Sequence, residues 1–216
     1  MVYPMSYLEQ KITNDLEQYS APLCFFSKRA FEPQDLVHTA TVAFVDTGKD
    51  KFLITCHHVW DEFNKMRKES SEMVMAAPIG PKRRLIVLDQ LEYIDGNRKF
   101  LDIAVLRMPE PAILGLGFNR YYAAERWPNE SARQNELVAM MGYPAQHRQP
   151  AENSINFPRA ILCDYVTRVT DRQVSIRDDH GNRQQFNHEE GIEQLAKDLG
   201  GMSGSPAFPL ERDSSS

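Results

Sequence analysis

The chain combines two patterns of hydrophobic and polar residues. Near the N-terminus, Leu8, Ile12, Leu16 and Tyr19 recur at three- and four-residue spacing, which predicts a short amphipathic helix over residues 5–19. From there on, short runs rich in Val, Ile, Phe, Thr and Tyr are bounded by Gly, Pro, Asn and Asp, as is typical of strands. These runs are PLCFF, VHTATVAFVD, KFLITC, EMVMAAP, RLIVLDQLEYI, DIAVLRM, ELVAMMGYP, RAILCDYVTRV and RQVSIRDD.

Turn residues between the runs predict how neighbouring strands connect. Gly, Asp and Asn in VDTGKDKF (45–52) and DDHGNRQ (178–184) favour β-hairpins. Further helical patterns occur in WDEFNKMRKES and EEGIEQLAKD, which predict helices over 60–69 and 189–197. Because strands and helices do not alternate, a doubly wound parallel sheet is disfavoured. We therefore predict an all-β fold with short helices, arranged as barrels or a sandwich.

Composition and charge limit the partners that we expect for the protein and the compartment in which we expect it. Apolar residues make up 42% of the 216 positions, enough for a sizeable core. The net charge of −5 gives no overall basic field, so neither a nucleic acid nor an anionic membrane surface is an expected partner. We find no apolar run close to the roughly 18 to 20 residues of a membrane span, and no hydrophobic segment of a secretory signal. These observations predict a cytoplasmic protein.

The three cysteines predict no cross-linked framework. Cys24, Cys56 and Cys163 are odd in number, and their spacings fit neither a disulfide scaffold nor a zinc site. We expect them to be reduced, buried thiols.

Three segments contain residue types that suit nucleophilic catalysis. LITCHHVW ends a predicted strand with His57 and His58, FLDIAVLRM places Asp102 before an apolar strand, and GGMSGSP presents Ser203 among glycines. A serine hydroxyl is a poor nucleophile at neutral pH and needs a base that titrates in that range, which histidine provides. A carboxylate on the other ring nitrogen fixes the tautomer and stabilises the imidazolium. A G-x-S-x-G elbow of the α/β-hydrolase type is disfavoured, because position 205 is serine.

In this order the motifs resemble those of the chymotrypsin-like serine peptidases, especially HtrA-like and other bacterial or viral members. In that family a strand ends in T-x-x-H followed by Val or Cys, an aspartate precedes an apolar run, and the nucleophile lies in G-x-S-G-[GS]-P. The resemblance covers residues 36–208. It implies a double β-barrel: an N-terminal helical extension (1–21), a first barrel carrying His and Asp (22–115), a second carrying Ser (116–210), and a disordered tail (211–216).

The resemblance also implies a role for each site residue. His58 is the general base and then the general acid, Asp102 orients it, and Ser203 attacks the substrate carbonyl to form an acyl-enzyme. The backbone N–H groups of Gly201 and Ser203 form the oxyanion hole, and His57 is a packed or hydrogen-bonded neighbour. The implied activity is that of a serine endopeptidase acting on proteins or peptides, with no metal and no organic cofactor.

The chain departs from the family after the nucleophile. PAFPLERDSSS leaves room for one strand at most, so the resemblance implies an incomplete second barrel. Three explanations are open: truncation, which we favour; a partner or second copy that supplies the missing strands; or a chain that keeps the triad without peptidase activity. The last corresponds to an alternative function, in which a catalytically idle module binds peptides or a protein partner by strand addition.

Overall fold

Short strands account for most of the described chain, and the computed structural model confirms the all-β class expected from the sequence. The strands of one sheet come from residues 20–123 and those of another from residues 137–209. The predicted boundaries between domains stay predictions. The structure describes residues 14, 16–28, 38–79, 84–88, 91–97, 102–110, 122–123, 133–151, 154–170, 174–176, 184–186 and 202–210.

The first sheet has eight strands, of which seven form an antiparallel path in the order β5-β4-β1-β2-β3-β7-β6, while β8 pairs in parallel with β2. The described strands form an open path. Their bounds are β1 (Ser20–Ser27), β2 (His38–Asp46), β3 (Lys51–Cys56), β4 (Met73–Ile79), β5 (Arg84–Val87), β6 (Glu92–Asn97), β7 (Ile103–Arg107) and β8 (Tyr122–Ala123).

The second sheet follows the order β13-β12-β9-β15, with β14 also paired to β12, and a separate hairpin joins β10 to β11. The pairs within it are antiparallel, and its described strands also form an open path. The bounds are β9 (Leu137–Gly142), β10 (Gln149–Ala151), β11 (Ser154–Asn156), β12 (Ala160–Val169), β13 (Val174–Ile176), β14 (Gln184–Phe186) and β15 (Ala207–Pro209).

Strand β1 is buried on both faces, which explains its continuous apolar run. Successive side chains of a strand point to opposite faces. Leu23 and Phe25 accordingly belong to a core cluster within the first sheet, whereas Cys24 and Phe26 belong to a second cluster that includes Met141 and other residues of the second sheet. The sheets are therefore packed together across β1.

The predicted helix over 60–69 is confirmed, but it begins three residues earlier than expected. Helix α1 spans His57–Glu69 and directs Val59 and Phe63 into the core of the first sheet. Of the N-terminal helix predicted over 5–19, residues 14, 16 and 17 are described and are helical, and residues 189–197 lie outside the described residues. No helix in the described part of the chain is long and apolar enough to cross a membrane.

The hairpin expected at residues 45–52 is also confirmed. It joins β2 to β3, with Gly48 at a φ of +79° and its N–H donating to Asp46 Oδ1 over 2.8 Å. The run RLIVLDQLEYI, expected to be one strand, is divided between β5 and β6, which lie at opposite ends of the first sheet. The hairpin expected at 178–184 lies almost entirely outside the described residues.

Candidate active site

Asp102, the residue before β7, caps the N-terminus of helix α1. The first N–H groups of a helix have no acceptor within the helix. Here the N–H of His57 donates to the Asp102 carbonyl oxygen over 3.0 Å, and the N–H of His58 donates to Asp102 Oδ1 over 2.9 Å. Cys56, at the N-cap position, supplies no side-chain cap. Asp102 therefore takes over the capping role, and its negative charge suits the helix N-terminus.

Pairing between β3 and β7 brings these residues together. Cys56, the last residue of β3, lies opposite Ile103, the first residue of β7. This pairing brings Asp102 to His58 despite a separation of 44 positions. Asp102 has a φ of +45°, which is unusual for a residue other than glycine. Non-glycine residues hold such a conformation when surrounding contacts impose it, as the two bonds to the start of α1 do here.

The structure brings His58, Asp102 and Ser203 into one hydrogen-bonded chain. His58 Nδ1 lies 2.6 Å from Asp102 Oδ2, and His58 Nε2 lies 3.1 Å from Ser203 Oγ. A neutral imidazole has one N–H donor and one acceptor nitrogen. Donation from Nδ1 to the carboxylate leaves Nε2 to accept the serine proton. The side chains of His58 and Asp102 are 56% and 47% exposed, so both are open to solvent.

The loop that carries Ser203 is attached to the first sheet through its main chain. The N–H of Thr41, in the middle of β2, donates to the Ser203 carbonyl oxygen over 3.0 Å. Within the loop, the Ser205 N–H donates to the Met202 carbonyl oxygen over 2.9 Å and closes a turn. The nucleophile candidate comes from the segment before β15, yet its position is set by β2.

Gly204 is required for this close approach. Its φ is +91°, in the region that favours glycine. A Cβ at this position would overlap the carbonyl oxygen of Thr41 and would lie 2.7 Å from Thr55 Oγ1. Thr55 Oγ1 donates to that same Thr41 oxygen over 3.0 Å, so the groups that face the glycine are fixed by one another.

The ionisation of Asp102 is set by two opposing effects. Partial burial raises its pKa, whereas the hydrogen bonds from the side chain and backbone of His58 lower it, and the net result is a pKa below the ordinary value of 3.8. Asp102 is therefore ionised at neutral pH, as a residue that holds the imidazole must be.

Cys56 lies beside the same carboxylate, a contact that the sequence analysis missed. Its Sγ lies within 4.8 Å of a carboxylate oxygen of Asp102. Burial first, and then the negative charge of Asp102, raises the pKa of Cys56 from 9.0 to about 11. A metal ion could bind among three of the described residues. Each of them offers one ligand atom, and these atoms lie within 4.8 Å of one another: Cys56, His58 and Asp102.

The other cysteines are free, as expected, but their burial differs. Cys24 is buried, whereas Cys56 and Cys163 are only half-buried, which corrects the expectation of three buried thiols. Cys163 lies in β12, and its pKa is raised to about 11 by burial and then by Asp164.

His57 points away from the chain of hydrogen bonds. Its ring packs edge-on against Tyr93, with centroids 6.2 Å apart, and Tyr93 stacks on Trp60. His57 Nδ1 lies 3.3 Å from Asp61 Oδ2 in the next turn of α1 but makes no hydrogen bond to a described residue. His57 is thus a packed neighbour of the site.

Gly201, the other residue expected at the oxyanion hole, lies outside the described residues, so its role stays a prediction. Ser203 is described, and its N–H donates to no acceptor among the described residues. No protein-family model matches the chain, and no curated protein matches it significantly.

Proposed function

We propose that this chain is a serine endopeptidase that uses Ser203, His58 and Asp102 as a catalytic triad. The observation that carries the proposal is the hydrogen-bonded order from Asp102 through His58 to Ser203, at 2.6 and 3.1 Å. These distances are within the reach needed for proton transfer between a nucleophile and its base.

The reaction follows from the hydrogen bonds. Ser203 Oγ attacks the carbonyl carbon of the peptide as His58 Nε2 takes its proton, and the ionised Asp102 stabilises the resulting imidazolium. The imidazolium then donates the proton to the leaving amine, and an acyl-enzyme remains on Ser203. Water attacks this ester with His58 again as base, which releases the acid and restores the serine.

Charge on the tetrahedral intermediate requires donors aimed at its oxygen. We assign this role to the N–H of Ser203, which is not used by any described acceptor, together with the N–H of Gly201. In other enzymes, removal of one such donor costs about 2.7–4 kcal/mol of transition-state stabilisation.

We also propose the chymotrypsin-like double barrel as the arrangement of the two sheets. One core cluster contains side chains from β4 and from β7, which are well separated along the first sheet. A sheet must curl for such strands to share one core, and this supports a barrel for the first half of the chain. The second sheet would form the other barrel.

Fluorophosphonate labelling with intact-mass detection tests the triad directly. The wild-type chain should gain one adduct, which Ser203→Ala abolishes, and His58→Ala should slow labelling by about 10³-fold or more. His57→Ala is the matched control, because it removes the adjacent imidazole, which packs against Tyr93 and does not reach the serine. It should be labelled at nearly the wild-type rate.

Two results would contradict the proposal. One is a folded wild-type chain that gains no adduct, which would favour the idle binding module. The other is equal loss of labelling in the two histidine variants. Cleavage of an unbiased peptide mixture, compared with the Ser203→Ala variant, then distinguishes a peptidase from a hydrolase of another class.

A further inference from the structure

Two residues of the proposed triad, His58 and Asp102, form a cluster of metal-ligating atoms with Cys56. Cys56 ends β3, His58 lies in the first turn of α1, and Asp102 precedes β7, so all three are fixed by secondary structure. Their ligand atoms lie within 4.8 Å of one another. The proposed catalytic reaction uses the histidine and the aspartate and leaves the thiol without a role.

We propose that Cys56, His58 and Asp102 form a Zn²⁺ site, and that occupancy of this site inhibits the enzyme. Sulfur, imidazole nitrogen and carboxylate oxygen are the donors that zinc takes in proteins, at about 2.0–2.3 Å. Tetrahedral geometry then places the donors roughly 3.3–3.8 Å from one another. Small rotations of these side chains bring the present cluster into that range.

The surroundings of the cluster fit an ion that enters from solvent. The side chains of His58 and Asp102 are 56% and 47% exposed, which leaves them room to turn and leaves an open side for a water or chloride ligand. Cys56 is half-buried against the core and supplies the fixed end of the site. Three protein ligands with one open position are the usual arrangement of a non-structural zinc site.

Zinc binding is incompatible with the triad. The ion replaces the proton between His58 Nδ1 and Asp102 Oδ2, and the neutral imidazole then carries its proton on Nε2. That nitrogen becomes a donor and can no longer accept the proton of Ser203. The thiol of Cys56 loses its proton to solvent as the Zn–S bond forms, and no oxidation or reduction occurs. The inhibitory part of this inference rests on the proposed function, whereas the binding part does not.

Metal binding is tested with Co²⁺ as a spectroscopic substitute for Zn²⁺ on the full chain after treatment with a chelator. Thiolate ligation gives a near-ultraviolet charge-transfer band and tetrahedral geometry gives intense visible bands. Wild type and Ser203→Ala should both show them, because the serine is not a ligand. Cys56→Ala should lose the charge-transfer band and bind Zn²⁺ at least about 10- to 100-fold more weakly in competition with a chromophoric chelator.

Cys163→Ala is the matched control, since it removes the other half-buried thiol and should keep the spectrum and the affinity. The inference is overturned if wild type shows no thiolate band with Co²⁺ alone, or if Cys56→Ala binds Zn²⁺ as tightly as wild type does. A band that disappears in Cys163→Ala instead of Cys56→Ala would overturn it as well.

Fluorophosphonate labelling with and without Zn²⁺ tests the inhibition. The quantity compared is the labelling rate with Zn²⁺ divided by the rate without it, measured for each variant. Zinc should slow labelling of wild type and of Cys163→Ala, and the ratio should return to one in Cys56→Ala. Labelling that zinc does not slow overturns the inhibitory site and leaves the proposed function standing. A thiolate–metal spectrum without labelling in chelator supports the metal site and contradicts the proposed function.

Discussion

Gly204 allows the loop that carries Ser203 to lie against the first sheet, and Gly204→Ala should separate loss of fluorophosphonate labelling from loss of stability. A φ of +91° strains a residue other than glycine by about 1–3 kcal/mol. The new Cβ would also overlap the Thr41 carbonyl oxygen and lie 2.7 Å from Thr55 Oγ1. Because the first of these atoms belongs to the backbone of a buried strand, the loop moves and the strand stays.

The smallest movement that relieves the overlap breaks the hydrogen bond from Thr41 to Ser203, which contributes about 0.5–1.5 kcal/mol. Together with the backbone strain, the free energy of unfolding should therefore fall by about 1.5–4.5 kcal/mol. The same movement carries Ser203 Oγ away from His58 Nε2. A displacement of about 1 Å at a reacting group can lower a rate about 100-fold, and we expect this loss in fluorophosphonate labelling.

Gly48→Ala is the matched control, since Gly48 has a φ of +79° and no atom within 4 Å of the added Cβ. It introduces comparable backbone strain at the hairpin between β2 and β3, so it should lower the free energy of unfolding by about 1–3 kcal/mol and leave labelling unchanged. Both quantities are measured on the same samples, by urea denaturation and by intact mass. Equal labelling rates for the Gly204→Ala and Gly48→Ala variants would contradict this prediction.

Two further predictions concern Asp102 and the core. Because its hydrogen bonds from His58 hold the pKa of Asp102 below 3.8, the stability that this ionised group contributes should be fully present above about pH 5 and lost as pH falls below about 4. The difference in free energy of unfolding between wild type and Asp102→Asn should shrink over that range, and a difference independent of pH would contradict this. Phe63 is 2% exposed and packs against Phe25, so Phe63→Ala should lower the free energy of unfolding by about 3–5 kcal/mol in urea denaturation. A loss below about 1 kcal/mol would contradict the packing described for α1.

The strands could be predicted from the sequence because their burial alternates or is continuous over several residues. The run KFLITC corresponds to β3 at both ends, and VHTATVAFVD to β2 within one residue. The division of RLIVLDQLEYI could not be predicted, because all of it has strand character and the separation depends on which partner each half finds. Pairing of β5 with β4 and of β6 with β7 is a property of the whole fold.

The start of helix α1 was missed for a related reason. His57 and His58 have no local cap, and their pattern alone favours continuation of β3. The groups that cap them belong to Asp102, which only the pairing of β3 with β7 brings near.

The three residues picked from their motifs are the ones that the fold brings into hydrogen-bonded contact. Their order along the chain and their residue types were readable from the sequence. The proximity of Cys56 to Asp102 was not, because a single cysteine at a strand end has no spacing signal of its own. The role of Gly201 in the oxyanion hole rests on the sequence motif alone.

Much of the geometry around Ser203 is held by backbone atoms. The N–H of Thr41 holds the Ser203 carbonyl oxygen, and the Asp102 carbonyl oxygen holds the N–H of His57. Such contacts survive most exchanges of side chain at the residues that make them, so this site can persist through extensive sequence divergence. Gly204 is the exception, since any larger residue there meets the β2 backbone. A lineage of such proteins would therefore keep this glycine long after the strands around it had ceased to resemble one another.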